Sequence, residues 1–166
     1  MDENNSLRIE SLELKIEYLW NPFLYKGGHL TFNDCKNVIL RQEDCSYWGA
    51  AVYKWEGQIT IGDHAGELGV LIGETLDLRQ RIKQYISGTQ ESGNKYWREE
   101  FLSKGNIYFF ILTLMGGYVL SKSEKLVSIG KDSFKSKSRR LIIEKSLILK
   151  ELSENKDRKW VVNREQ

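Results

Sequence analysis

The segment from residue 49 to residue 85 constrains the fold of this 166-residue chain more than any other. Two apolar runs rich in Val, Ile, Leu and Tyr, GAAVYKW at 49–55 and GVLIG at 69–73, are bounded by glycines, as strands commonly are. A helical pattern follows the second run almost at once, so the segment predicts two strands with a helix packed against them. The apolar face of that helix carries Leu78, Ile82 and Tyr85 at i, i+4 and i+7.

Arg81 lies on the same face of the predicted helix, three residues after Leu78 and four before Tyr85. A charged side chain on the packed face of a helix is costly unless a partner compensates its charge. The sequence therefore predicts an arginine that points inward, directly behind the strand pair.

Apolar patterns also predict the other elements. Residues 6–20 have apolar positions at 9, 12, 16 and 19, which predicts a helix that ends before Pro22. The run IYFFILTLM at 107–115 predicts a strand buried on both faces, and the segment 138–156 predicts a long helix. Smaller features are a turn at Gly27-Gly28, short helices beginning near Asn33 or Asp34 and over 97–104, and a Ser- and Lys-rich loop over 116–137.

These elements predict an α/β (α+β) sandwich with a small central three-stranded, mainly antiparallel sheet flanked by helices. Residues 1–46 are expected to form an N-terminal helical extension packed on the core, and residues 47–166 the main domain, in one compact unit. A chain of this length can bury a substantial core.

Composition and cysteine spacing exclude several classes of protein. No apolar run approaches the roughly 20 residues of a membrane span, and the polar, acidic start MDENNSLRIE is not a secretory signal. A cytoplasmic protein without a membrane partner is therefore expected. Cys35 and Cys45 have no His or Cys at ligand spacing, which indicates two reduced thiols and no zinc site.

Positive charge is concentrated towards the C-terminus. Residues 131–166 carry 11 basic and 6 acidic side chains, whereas residues 1–46 carry 5 and 8. The segment KDSFKSKSRR at 131–140 is the densest part, and it is equally consistent with a phosphate-binding patch and with a solvated loop before a helix. Its candidate phosphate contacts are Lys131, Lys135, Lys137, Arg139 and Arg140.

Glu144 lies on the apolar face of the last predicted helix, which carries Leu141, Ile148 and Leu152. A carboxylate in such a position is usually paired, hydrogen-bonded or bound to a metal. One reading is a partner for a structural Arg or Lys, and the other is a functional carboxylate.

Together these features resemble the GIY-YIG endonuclease family. Ala51-Val52-Tyr53 matches its first strand motif and Leu71-Ile72-Gly73 its second, with alanine and leucine where the family usually has glycine and tyrosine. The later matches are Arg81 in the helix, Tyr85 four residues on, Glu144 as the metal-binding glutamate and Asn163 as the late asparagine.

The resemblance implies phosphodiester hydrolysis. It implies that Glu144 holds one divalent cation, Mg²⁺ with Mn²⁺ as a substitute, and that Arg81 contacts a phosphate oxygen. Tyr53 would orient or deprotonate the attacking water, and nearby positive charge would favour its phenolate form. Tyr85 or His64 would supply the hydroxyl or imidazole that compensates for Leu71. Asn163 would position Tyr53 or tie the chain end to the site.

The leading interpretation is a Mg²⁺-dependent DNA endonuclease, restriction-like or mobile-element-like. Reading a symmetric site with so small a chain would call for a homodimer. One alternative is a nucleic-acid-binding module on the same fold that has lost turnover. A further alternative is an unrelated α/β domain in which Tyr53, Arg81 and Glu144 do not converge.

Overall fold

The computed structural model describes residues 12–37, 42–45, 47–88, 94–121, 127–128, 134–154 and 158–165. The strands are β1 Leu12–Pro22, β2 Leu24–Tyr25, β3 Gly28–His29, β4 Ala51–Ile59, β5 Leu68–Thr75, β6 Gly105–Ser121, β7 Val127–Ser128 and β8 Lys159–Val161. The helices are α1 Phe32–Asn37, α2 Leu78–Ser87, α3 Asn94–Trp97, which continues as a π-helical turn at Arg98–Leu102, and α4 Lys137–Ser153. Short 3-10 turns occupy Gln42–Asp44 and Val162–Glu165.

The main sheet confirms the mixed α/β class but is larger than the three strands predicted. Within the described residues its order is β1-β6-β4-β5-β8, with β7 paired to β6. The pairs are antiparallel except for β5 with β8, which is parallel. The three predicted strands form its centre as β6, β4 and β5, and β2 and β3 form a separate hairpin about the predicted turn.

The helix predicted over residues 6–20 is wrong where the structure describes it, because Leu12–Pro22 is the strand β1. Apolar residues at 12, 14, 16, 18 and 20 alternate with Glu13, Lys15, Glu17 and Leu19, which is the period of a strand with one covered face. Of the helically spaced apolar positions 12, 16 and 19, the first two also belong to this alternation. The segment expected to be a helical extension therefore supplies an edge strand to the main sheet, paired with β6 from Leu12 to Pro22.

The loop predicted over 116–137 is also wrong at its start, since β6 continues to Ser121. Gly116 and Gly117 pair with Glu17 and Ile16 of β1. The register shifts at the next pair, where Tyr18 faces Leu114, so Met115 is the extra residue of a bulge. The two glycines thus mark an irregular strand and not its end.

Alternate residues of β4 and β5 build two separate cores. Tyr53, Trp55 and Leu71 face one side, where α1, α2, α3 and the π-helical turn pack on the sheet. Val52 and Ile72 face the other side, which α4 covers with Ile143, Leu147 and Ile148. The sheet is therefore a central layer between helices.

Helix α2 follows β5 directly, as the sequence predicts, and both of its ends are capped. The Asp77 side chain accepts a hydrogen bond from the Gln80 backbone N–H at 2.9 Å, which caps the first turn. Gly88 ends the helix in the left-handed conformation, with φ of 59°. Leu78, Ile82 and Tyr85 are its buried residues. Across the described chain, none of the helices combines the length and the apolar character that a membrane crossing requires.

Candidate functional site

Tyr53 of β4 and Tyr85 of α2 meet between the sheet and its first helical layer. Their hydroxyl oxygens are 3.0 Å apart, and their rings are edge to face with centroids 6.3 Å apart. Both side chains are buried, with 2% and 4% of their surface exposed. The predicted catalytic tyrosines therefore form a hydrogen-bonded pair in the interior.

Burial is the main influence on the acidity of this pair. It raises the pKa of Tyr53 well above its ordinary value of 10.0, and the neighbouring Tyr85 raises it further. The pKa of Tyr85 is also raised by burial, while its hydrogen bond to Tyr53 and the charge of Arg81 oppose that rise. Both phenols are therefore neutral at physiological pH in the free protein.

Gly73 provides the space that Tyr53 occupies. The two residues are direct cross-strand partners on β5 and β4. A Cβ at position 73 would fall on the Tyr53 hydroxyl and on the adjacent ring carbons. The glycine of the second strand motif thus has a steric function, because the ring of Tyr53 lies across its α-carbon.

Arg81 approaches the tyrosines from α2, one turn before Tyr85. It is half-buried, and its charge lowers the pKa of Tyr53, Tyr85 and Glu144. Its Nε is buried and has no hydrogen-bond partner in the described part of the chain. A buried donor without an acceptor is costly, and a phosphate oxygen is an acceptor that suits arginine well.

Glu144 lies on α4, which packs on the opposite face of the sheet from the tyrosines. Only 9% of its surface is exposed, and burial raises the pKa of its carboxyl. Lys145 lowers that pKa, Glu74 raises it, and Arg81 lowers it. The ion pair with Lys145 is long, 3.9 Å between Oε2 and Nζ. Among the residues that the structure describes, Glu144 is thus a buried carboxylate whose one ion pair is long, and its charge acts on both tyrosines.

A divalent cation bound to Glu144 would have few ligands from the protein. Among the residues the structure describes, no set of three or more His, Cys, Asp or Glu side chains is placed to hold a metal. Mg²⁺ commonly binds through one or two carboxylates and completes its coordination with water and substrate phosphate. Glu144 suits that kind of site.

Asn163, predicted near the site, contacts the sheet and not the tyrosines. Its side-chain oxygen accepts the Ile72 backbone N–H, and its side-chain NH₂ donates to the Ile72 carbonyl oxygen, both at 2.8 Å. The amide therefore continues the pairing that β8 makes with β5 and ties the chain end to the strand just before Gly73.

Comparison with known proteins adds no relative. No family model, curated protein or solved structure matches this chain. Assignment of a function therefore depends on the chemistry of these side chains.

Arg140, predicted to contact phosphate, is instead buried at 4% exposure. Its Nε donates to Glu74 Oε2 at 2.5 Å, and its Nη1 donates to the carbonyl oxygens of Phe134 and Lys135 at 2.5 and 3.2 Å. These bonds commit the guanidinium to the protein, so Arg140 fastens the start of α4 to the end of β5. Glu74 was missed from sequence, because its only signal is a carboxylate directly after the apolar run that ends at Gly73.

The other predicted phosphate contacts lie at the start of α4. Lys135, Lys137 and Arg139 are exposed there, next to Ser136, whose side chain caps the helix. Lys131 lies outside the described residues. Lys137 and Arg139 lie on the helix that carries Glu144, and Lys135 lies just before it.

The two cysteines take no part in the site. Both are free thiols, and burial raises the pKa of Cys35 to about 12 and that of Cys45 to about 11. Neither is therefore a thiolate nucleophile at neutral pH.

Proposed function

We propose that this chain is a metal-dependent DNA endonuclease of the GIY-YIG kind, which hydrolyses phosphodiester bonds. The proposal rests on Arg81, whose buried Nε has no hydrogen-bond partner among the described residues, and on the influence of its charge on a hydrogen-bonded tyrosine pair and on the buried carboxylate of Glu144. A cation, two hydroxyls and a carboxylate from three separate elements are the groups that phosphoryl transfer requires.

Each side chain has a role that follows from its chemistry. Arg81 binds a non-bridging phosphate oxygen, which satisfies its buried donor and neutralises charge on the substrate. Tyr53 hydrogen-bonds the attacking water, and Tyr85 holds the Tyr53 hydroxyl in place. The bond from phosphorus to the 3′ oxygen breaks as the water oxygen attaches to phosphorus. The water loses a proton to solvent and the departing 3′ oxygen takes one up, so the products are a 5′ phosphate and a 3′ hydroxyl.

Glu144 would hold the divalent cation, Mg²⁺ or Mn²⁺. When bound, that ion supplies positive charge to the phosphate and to the departing oxygen. Because the pKa of Tyr53 is raised, its phenolate would form at neutral pH only with added positive charge near the hydroxyl. Tyr53 is therefore proposed to orient the water as a neutral phenol and not to deprotonate it.

Lys135, Lys137 and Arg139 are proposed to bind the DNA backbone. They are exposed and lie on or just before the helix that carries Glu144. Contacts of this kind position DNA without reading its sequence. A restriction-like or mobile-element-like enzyme would read a symmetric site as a homodimer.

The test is cleavage of supercoiled plasmid and of single-stranded DNA in Mg²⁺ by Arg81→Ala and Glu144→Gln. We expect each variant to lose about 100-fold or more in rate, because each removes charge stabilisation of the transition state. Lys83→Ala, an exposed change on the same helix, is the matched control and keeps full activity. Circular dichroism and thermal melting establish that all variants fold. Undiminished cleavage by both site variants would remove the proposal.

A second function, binding of nucleic acid without turnover, is favoured by two observations. Leu71 replaces a tyrosine of the family motif, and the Tyr53 hydroxyl is buried with its pKa far above neutral. Gel-shift and cleavage assays on the same DNA distinguish the two functions. Binding with no cleavage in either Mg²⁺ or Mn²⁺ would establish the binding module.

A further inference from the structure

A polar cavity lies at the opposite end of the β4–β5 hairpin from the tyrosines. It has a volume of about 210 Å³. Ile59, the last residue of β4 and the one nearest the cavity in sequence, is six residues or about 20 Å along the strand from Tyr53. The cavity is therefore separate from the proposed nuclease site. Its lining residues are Asp63, His64, Tyr96, Glu100, Lys104 and Trp160, which come from four segments of the chain.

The imidazole of His64 is a fixed flat surface in this cavity. It stacks on the indole of Trp160, with ring centroids 4.0 Å apart and planes only 4° apart. Its Nδ1 lies 3.0 Å from Glu67 Oε2, which fixes the ring rotation. The side chain is 36% exposed, and because Trp160 covers one face, that exposure belongs to the opposite face and the ring edge.

The wall that carries Glu100 has an unusual backbone. Glu100 lies in the π-helical turn Arg98–Leu102, a conformation that is rare and is found often at functional sites. Its carboxylate accepts a hydrogen bond from Lys104 Nζ at 2.9 Å. The Lys104 side chain in turn lies over Gly62, so this wall is also held in place before any ligand arrives.

The cavity offers hydrogen-bond groups that the protein does not use. Asp63 is exposed, and within the described residues its carboxylate has neither a hydrogen bond nor an ion pair. Among the described lining residues the carboxylates of Asp63 and Glu100 outnumber the one ammonium of Lys104, and the imidazole of His64 is paired with Glu67. Such a surface repels phosphate and attracts groups that donate hydrogen bonds.

We propose that this cavity binds an unstacked nucleobase, with guanine as the preferred base. A flat aromatic surface stacks any base, as aromatic side chains do in single-strand binding proteins. The two oxygens of Asp63 match the adjacent N1–H and N2–H donors on the Watson–Crick edge of guanine, a pair of donors that adenine, cytosine and thymine lack. The sugar and any phosphate stay outside, away from the carboxylates. This site does not depend on the proposed nuclease activity.

The first test is NMR titration of the ¹⁵N-labelled full chain with guanosine, adenosine, cytidine and thymidine. We expect a saturable shift of the Trp160 indole N–H, assigned with Trp160→Phe, and the tightest binding for guanosine. Asp63→Asn should weaken guanosine binding about ten-fold and abolish the preference over adenosine. His64→Ala should weaken binding of every nucleoside about ten-fold.

Glu99→Gln is the matched control, because Glu99 is an exposed carboxylate on the same π-helical turn that does not line the cavity. Its guanosine affinity should equal that of the unmodified chain. The absence of a saturable Trp160 shift with any nucleoside, or an equal loss in Asp63→Asn and Glu99→Gln, would overturn the proposal.

A second measurement distinguishes the source of the base. A single-stranded oligonucleotide with one guanine is compared with the same strand carrying an abasic site in its place. Tighter binding of the guanine strand, lost in Asp63→Asn, identifies a base of DNA as the ligand. Equal binding of the two strands, together with retained guanosine binding, identifies a free nucleoside.

Discussion

The cross-strand pair of Tyr53 and Gly73 determines the geometry of the candidate site. Tyrosine suits a strand, but its ring can lie across the neighbouring strand only where that strand has no side chain. The absence of a Cβ at Gly73 lets the Tyr53 hydroxyl reach Tyr85 at 3.0 Å. Gly73 thus determines where the Tyr53 hydroxyl lies.

Gly73→Ala tests this steric role. The new Cβ would overlap the Tyr53 ring, so we expect a loss of about 1–3 kcal/mol in the free energy of unfolding, measured with urea. Gly28→Ala is the control, because a Cβ there meets only the Tyr25 carbonyl oxygen at 3.7 Å and the backbone does not require glycine. Equal stabilities for the two variants would contradict the role assigned to Gly73.

The raised pKa of Glu144 makes its contribution to folding stability depend on pH. Because its folded pKa lies above the ordinary value of 4.5, the folded chain retains a proton that the unfolded chain releases. Stability from this group is therefore present below pH 4.5 and is lost as the pH rises through the folded pKa. A buried carboxylate kept at this cost is typical of a functional position.

Glu144→Gln should raise the melting temperature at pH 7 to 8, because the variant buries no charge there. The difference from the unmodified chain should shrink as the pH falls towards 4.5, where the carboxyl is protonated. Glu99→Gln, on an exposed carboxylate, should show no such pH-dependent gain. A Glu144→Gln variant that melts lower than the parent at neutral pH would refute this account.

At the scale of elements, two clamps hold β5 where β8 has ended. Strand β8 pairs with β5 only from Leu68 to Val70. Beyond that point, the Asn163 side chain forms hydrogen bonds with both backbone groups of Ile72. The Arg140–Glu74 ion pair then joins the end of β5 to α4. Helix α4 thereby carries Glu144, four residues after Arg140, to the same end of the sheet as Gly73. Positioning of Glu144 is therefore a property of the α4–β5 contact.

Arg140→Met should cost about 3 kcal/mol in the free energy of unfolding, because it leaves the Glu74 carboxylate, whose side chain is only 15% exposed, without its partner. Adding Glu74→Gln should restore part of that loss, since the two residues contact each other. Arg139→Met, the exposed neighbour on the same helix, should change stability by less than about 0.5 kcal/mol. Chemical denaturation of the three variants measures all of these terms. A strictly additive double variant would rule out the clamp.

For the whole molecule, the relevant feature is the unequal distribution of charge. The net charge is only +2, yet the segment 131–166 holds 11 of the 25 basic residues. In the structure this segment includes α4, whose first turn exposes Lys137 and Arg139 beside the site. Charge at the mouth of a cleft raises the local concentration of a polyanion without fixing its sequence.

DNA affinity should therefore fall with salt, and the first turn of α4 should contribute to that slope. Lys137→Ala and Arg139→Ala should each reduce the slope of log K against log salt by about 1. Lys150→Ala is the control on the same helix, because Lys150 lies three turns or more away and pairs with Glu154 at 3.0 Å. Fluorescence anisotropy over a range of salt concentrations gives the slopes. Equal slopes for all variants would place the DNA elsewhere.

Local sequence determined much of this molecule. The apolar periods of 78–85 and 138–156 predicted α2 and α4, because each pattern shows one periodicity over several turns. The three central strands followed from short β-branched and aromatic runs between glycines. The inward positions of Arg81 and Glu144 followed from the same periodicity, since a residue on an apolar stripe points where the stripe points.

Other features were decided only by tertiary structure. The segment 12–22 contains both a helical and an alternating pattern, and pairing with β6 selects the strand. Gly116 and Gly117 look like a strand end but lie within β6, because β1 supplies their partners. Arg140 reads as a surface cation, yet it is buried by a carboxylate 66 residues away in the chain. Periodicity reports which way a side chain points relative to its own element, whereas partners and burial depend on which distant segment packs there.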